Sequence, residues 1–242
     1  MNPMNPNTFN EFAVRGQTFD QTGYDEGLRQ HMLQVYNYMV GGLAVTGLVA
    51  YFAATNLGLM QLLFGTPLKF VVMLAPLAFV LVLSFGLHKL SLPTTQALFW
   101  AFSVVMGLSI ASIFIVFTHT SIARVFFISA AMFGSMSLWG YTTKRDLTNF
   151  GAFLMMGLFG LVIAGFINVF LGSSGLQFVV SMGGVLIFTG LAAYDTQQIK
   201  EIYAEGWGQE GNGKLAVMGA LNLYLTFINL FMSLLNLLGD RE

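Results

Sequence analysis

The sequence predicts an all-α membrane protein of seven transmembrane helices, and three observations carry that prediction. Apolar residues make up 56% of the chain and charged residues only 9%, against about 25% charged in an ordinary soluble domain. Seven apolar runs divide the chain, most of them near the roughly 20 residues that an α-helix needs to cross a bilayer core of about 30 Å. Most links between them are short and carry helix breakers, so successive spans are expected to pack as antiparallel neighbours in one domain.

Residues 1–30 stand apart from the spans. The first seven are rich in Asn and Pro, and Asp20, Asp25 and Glu26 add three acids before Arg29. Such a segment buries too little apolar surface to order itself, so it reads as a flexible, solvated cytoplasmic tail. It has no apolar core of the signal-peptide kind, and no cleavage is expected. Residues 31–242 form the transmembrane domain.

The runs occupy 33–54, 71–87, 94–117, 122–141, 150–171, 176–194 and 215–238. Gly65-Thr-Pro67, Ser91-Leu-Pro93 and Gly172-Ser-Ser-Gly175 mark three of the breaks, each ending one helix and admitting the next. Small residues recur inside the spans, among them Gly157, Gly160, Gly165 and the pair Gly183-Gly184. In lipid, where apolar burial drives no association, such residues let helices approach closely. No internal repeat of the inverted-transporter type is visible.

A cytoplasmic N-terminus would place Arg15, Arg29, Lys89, Lys144, Arg145, Lys200 and Lys214 inside, leaving Lys69, Arg124 and Arg241 outside. Seven against three favours N-in, C-out under the positive-inside rule. With a net charge of −1 and no cysteine, the composition argues against a nucleic-acid partner and excludes disulfides, thiolate nucleophiles and zinc–thiolate sites.

Two features point to a site. Asp195 directly follows the sixth run, within Gly190-Leu-Ala-Ala-Tyr-Asp-Thr-Gln-Gln-Ile-Lys200. An ionised carboxylate in hydrocarbon costs at least a few kcal/mol, so an acid there faces a protein interior or a wet cavity and carries function. Alternatively it lies past the hydrocarbon at the water interface. In the last run, Asn222, Thr226, Asn229, Ser233 and Asn236 recur at intervals of four, three, four and three. They share one face, which lipid cannot satisfy. Interhelical hydrogen bonding and a polar path through the bundle both explain such a stripe, and both place the face in the interior.

Tyr194-Asp-Thr-Gln197, a short polar loop and then Ala220-Leu-Asn-Leu-Tyr-Leu-Thr-Phe-Ile-Asn-Leu-Phe231, together with Gly140-Tyr-Thr-Thr-Lys-Arg-Asp146, resemble the transmembrane Bax inhibitor motif (Bax inhibitor-1) family in its bacterial branch. The resemblance spans all seven runs. It implies a fold whose last helix is central and wrapped by the other six, in the bacterial inner membrane. It also implies a pH-sensitive calcium leak governed by two aspartates, one on each of the last two helices. The first matches Asp195; the second position is occupied by Thr226, which cannot ionise. Two facing carboxylates share a proton and couple their titrations; one carboxylate and a hydroxyl do not. An arginine that some relatives carry near the pair corresponds to His88, which would give that position a different pH response.

Asp195, Thr226, Asn222, Asn229 and His88 are therefore the expected ion-pathway and pH-sensing residues. Asp195 is the expected calcium ligand, and calcium is a transported ion rather than a resident cofactor. Calcium prefers six to eight oxygens with several carboxylates, so one charge and a few neutral oxygens make a weak, transient site. No enzyme is expected: an intramembrane aspartyl protease needs two carboxylates, and neither His88 nor His119 stands inside a span with a serine. A monomer in the bilayer is expected. The alternative function is regulation of a membrane-bound ATP-dependent protease, a role the resemblance also implies, with the N-terminal tail as the handle.

Overall fold

The computed structural model describes residues 6–203 and 208–241. Their regular structure is helical: α1 (Pro6–Thr55), α2 (Leu57–Phe64), α3 (Leu68–Gly86), α4 (Leu92–Ile110), α5 (Ile113–Val116), α6 (His119–Thr142), α7 (Thr148–Leu171), α8 (Ser174–Ile202) and α9 (Gly208–Leu238). Seven segments are long and apolar enough to cross a membrane, from Glu26–Thr55 to Glu210–Leu238. Each matches one of the expected runs. The third, Leu92–Val116, is α4 continued by the short α5 after a break at Ala111-Ser112.

The breakers work as their chemistry dictates. Ser91 and Ser173 cap α4 and α8, accepting from the amides of Thr94 and Leu176 at 3.4 and 3.3 Å, which satisfies donors that the first helical turn leaves unpaired. Gly172 ends α7 with φ +58°, a left-handed conformation that only glycine adopts without strain. In the loop before α7, Asp146 accepts from the Thr148 amide at 2.8 Å. The Thr148 hydrogen bonds hold its carboxyl below the usual range, so it stays charged in mild acid.

Two boundaries differ from expectation. The helix of the first span runs back to Pro6, because extending a formed helix into polar sequence is far easier than nucleating one. Of the tail expected over residues 1–30, Glu26, Arg29 and Gln30 are exposed as a solvated segment would be, while Leu28 is buried in the core; residues 1–5 and the side chains up to residue 25 lie outside those described. The helix of the sixth span, α8, continues past Tyr194 to Ile202, since Gln197, Gln198 and Lys200 are good helix formers. Asp195 therefore lies inside a helix, not at its end.

Of the seven spans, Glu210–Leu238 is the most enclosed: 67% of its apolar window is buried, against 39% for Ser174–Ile202 and less for the rest. α9 packs on α8, α1, α6 and α4, while α3 packs on α4 and α7 on α8. Tyr224 of α9 is fully buried, edge-on to Phe102 with centroids 5.2 Å apart. Thr46 gives its proton to the Ser103 carbonyl at 2.8 Å, so the Tyr224 hydroxyl, 2.6 Å from Thr46 Oγ1, is the donor between them. That chain ties α1, α4 and α9 together without an unpaired hydroxyl. Outward, α3 and α7 expose Phe70, Met73, Leu77, Phe85, Phe159 and Phe166, an apolar surface suited to lipid.

Candidate ion pathway

The four residues Tyr194, Asp195, Thr196 and Gln197 each meet a different neighbour, and together they fix α8. A Cβ on Gly151 of α7 would run into the Tyr194 ring, and one on Gly140 of α6 into the Ala193 backbone. Glycine at these two positions lets three helices approach at the level of Asp195. Thr196 donates to the Ala192 carbonyl at 2.7 Å. Ser137 of α6 must therefore donate to Thr196 Oγ1 at 2.7 Å, and Tyr36 of α1 to Ser137 at 2.7 Å. Gln197 closes the α6–α7 loop: its Nε2 donates to the Arg145 carbonyl and its Oε1 accepts from the Leu147 amide, both at 2.8 Å. Lys200 donates to the Tyr141 carbonyl at 3.1 Å and stands over the Tyr141 ring. The segment from Gly140 to Asp146 singled out in the sequence thus packs against the helix that carries Asp195.

With its neighbours so engaged, Asp195 is left to face α9. The Thr226 hydroxyl donates to Asp195 Oδ2 at 2.6 Å, within the roughly 2.5–2.7 Å of a hydroxyl bound to an ionised carboxylate. Asp195 is half-buried and Thr226 is 6% exposed. Both line a cleft of 820 Å³ whose walls are α7, α8 and α9, with His31 of α1. Asn222, Asn229 and Ser233 line it too, on the same face of α9.

The stripe's surroundings correct one expectation. Its face was expected to be buried in the bundle, yet Asn222 and Asn229 are exposed and border the cleft. Asn229 and Asn236 turn their amides back to the Leu225 and Met232 carbonyls of their own helix, each at 2.8 Å. Apart from the Thr226–Asp195 bond, the stripe makes no interhelical hydrogen bond among the described residues. The physical reason is the separation of the walls: α7 presents Met155, Leu158, Leu161 and Val162 to the cleft, which offer an amide no partner.

A cation in this cleft would meet one carboxylate, at Asp195, with neutral oxygens from Thr226, Asn222 and Asn229. No group of three or more His, Cys, Asp or Glu suited to a metal occurs among the described residues. His88 is exposed in the turn after α3 and is not part of the cleft lining. The histidine that does line it, His31, escaped the sequence reading because a lone histidine beside a span carries no periodic signal.

Comparison with known proteins identifies the family. The family model "Inhibitor of apoptosis-promoting Bax1" matches residues 28–242. The inner membrane protein YbhL of Escherichia coli K12 is 45% identical over 219 residues, covering 89% of this chain and 94% of YbhL. An uncharacterized protein of Rickettsia prowazekii is 45% identical over 90% of this chain and 93% of its own. One from Caulobacter vibrioides is 42% identical over 98% of this chain and 99% of its own. With seven candidate spans and matches of this extent, the chain belongs to the Bax inhibitor-1 family of integral membrane proteins.

Proposed function

We propose that this protein is a pH-sensitive calcium leak of the bacterial inner membrane, with its N-terminus in the cytoplasm and the cleft between α7, α8 and α9 as the path. The observation that carries the reading is the placement of Asp195 with Asn222, Thr226, Asn229 and Ser233 of α9 on one cleft, joined by the Thr226–Asp195 hydrogen bond. The side chains of Asn222 and Asn229 border the cleft, where lipid offers their amide oxygens no donor while water or a passing cation meets them.

The mechanism follows from charge. Ionised Asp195 draws a cation into the cleft, and the hydroxyl and amide oxygens replace part of its water. With one carboxylate the site is weak, so the ion leaves easily. Protonation removes the attraction. Thr226 can donate to the carboxylate or to the carbonyl oxygen of the neutral acid, so its bond survives in both states. In a two-aspartate pair the shared proton itself holds the helices. Here pH acts chiefly on the charge of the path; the clasp between α8 and α9 weakens to a neutral hydrogen bond but is not lost. Calcium flux into dye-loaded liposomes across a pH series, with the parent and Asp195→Asn, tests the reading. A flux that Asp195→Asn leaves untouched refutes it.

A further inference from the structure

His31 is 5% exposed and lines the cleft that holds Asp195. Its Nδ1 is buried with no hydrogen-bond partner. An apolar ring would fill the same space without orphaning a nitrogen, and a buried polar atom left unpaired calls for a reason.

The local packing shows where His31 sits along the path. Its ring tilts across Tyr203 at 39°, with centroids 5.3 Å apart. Tyr203 follows the last residue of α8, and its hydroxyl abuts Gly27, one turn before His31 on α1. The lining residues at this end of the cleft are Ile199 and Ile202 of α8 and Leu215 of α9. His31, with the Tyr203 ring against it, thus stands at the mouth of the cleft nearest the C-terminal end of α8, and Tyr203 follows Asp195 by about two helical turns.

Among the described residues, the charged side chains of α1, α8 and α9 toward this end of the cleft are engaged with other partners. On α1, Glu26 and Arg29 pair with each other at 3.5 Å. On α9, Glu210 and Lys214 pair at 2.9 Å. On α8, Lys200 is engaged by Tyr141, Glu201 accepts from Gln198, and Asp195 accepts from Thr226.

We propose that His31 is a second proton-binding site of the cleft, distinct from Asp195, and that its protonation opens this mouth. A proton taken up at Nδ1 makes both ring nitrogens donors and leaves a buried cation with no acceptor. The relief is for the ring to leave Tyr203 and turn into the cleft, where water, Gln198 and Asn222 offer oxygens. Its consequence for ion flow rests on the pathway proposed above; the protonation and the opening do not.

The test uses the full chain in lipid nanodiscs. The ring nitrogens of 15N-labelled histidine, assigned with His31→Gln, are followed from about pH 8 to pH 5, the window in which an imidazole changes charge. The chain has no cysteine, so Met218→Cys, inside the cleft, reports access by a water-soluble thiol reagent. Comparing Met218→Cys with and without His31→Phe at each pH cancels the thiol's own ionisation. A His31 titration in this window, with labelling that rises severalfold toward acid only when His31 is present, is the expected result. A silent His31, or labelling that changes equally in both backgrounds, overturns the proposal. Should His31→Phe fold poorly, the same comparison with His31→Gln decides it. Neither readout involves ion flux, so a protein that conducts nothing would refute the pathway while titration and labelling still judge His31.

Discussion

Thr226→Val keeps the shape of the side chain and removes the one proton that Asp195 receives from α9, so it isolates the bond at the centre of the site. The donor–acceptor distance of 2.6 Å and the near-complete burial of Thr226 put this bond among those made to a charged group, worth about 1.5–3 kcal/mol. A hydrogen bond between neutral groups on membrane helices averages about 0.6 kcal/mol, so the magnitude reports the charge on Asp195. The assay is a double-mutant cycle of Thr226→Val and Asp195→Ala, read by denaturant-induced unfolding of the purified protein in detergent at neutral pH. A coupling of about 1.5 kcal/mol or more is expected, falling toward the neutral value as the pH is lowered through the titration of Asp195. Coupling within the roughly 0.3–0.5 kcal/mol seen for independent sites would refute the contact and the pathway built on it.

Gly140→Ala places a methyl group in the Ala193 backbone, where nothing can yield as a side chain would; a loss of about 1–3 kcal/mol is expected in thermal unfolding, whereas Gly160→Ala, with open space around it, should be neutral. Tags at the two termini are expected on opposite faces of the membrane, the N-terminal one cytoplasmic; both ends on one side would contradict seven spans.

What could be read from the sequence follows from what each signal encodes. Hydropathy located every span, because a helix in lipid must be apolar along its length whatever it packs against. The end of α8 was misplaced because Gln197 and Lys200 look like a polar exit, while their partners, the Arg145 and Tyr141 carbonyls, lie on another element. Periodicity showed that Asn222, Thr226 and Asn229 share a face, yet it could not say whether that face meets a helix or a cleft. Charge alone marked Asp195, and the resemblance named Thr226 as the second position; the structure adds that the two side chains meet at 2.6 Å. His31 had no such marker, since its significance arises only from Tyr203 and the cleft far along the chain.

The most direct test of the central claim is calcium flux into dye-loaded liposomes for the parent, Thr226→Asp, Asp195→Asn and the double variant, from mildly acidic to mildly alkaline pH. The account predicts a weak leak in the parent that declines smoothly as Asp195 takes up its proton. Thr226→Asp should give a stronger leak with a steeper pH switch, since it creates a coupled pair of carboxylates, and Asp195→Asn should abolish that switch. A strong, steeply switched leak in the parent that Thr226→Asp leaves unchanged would contradict the account.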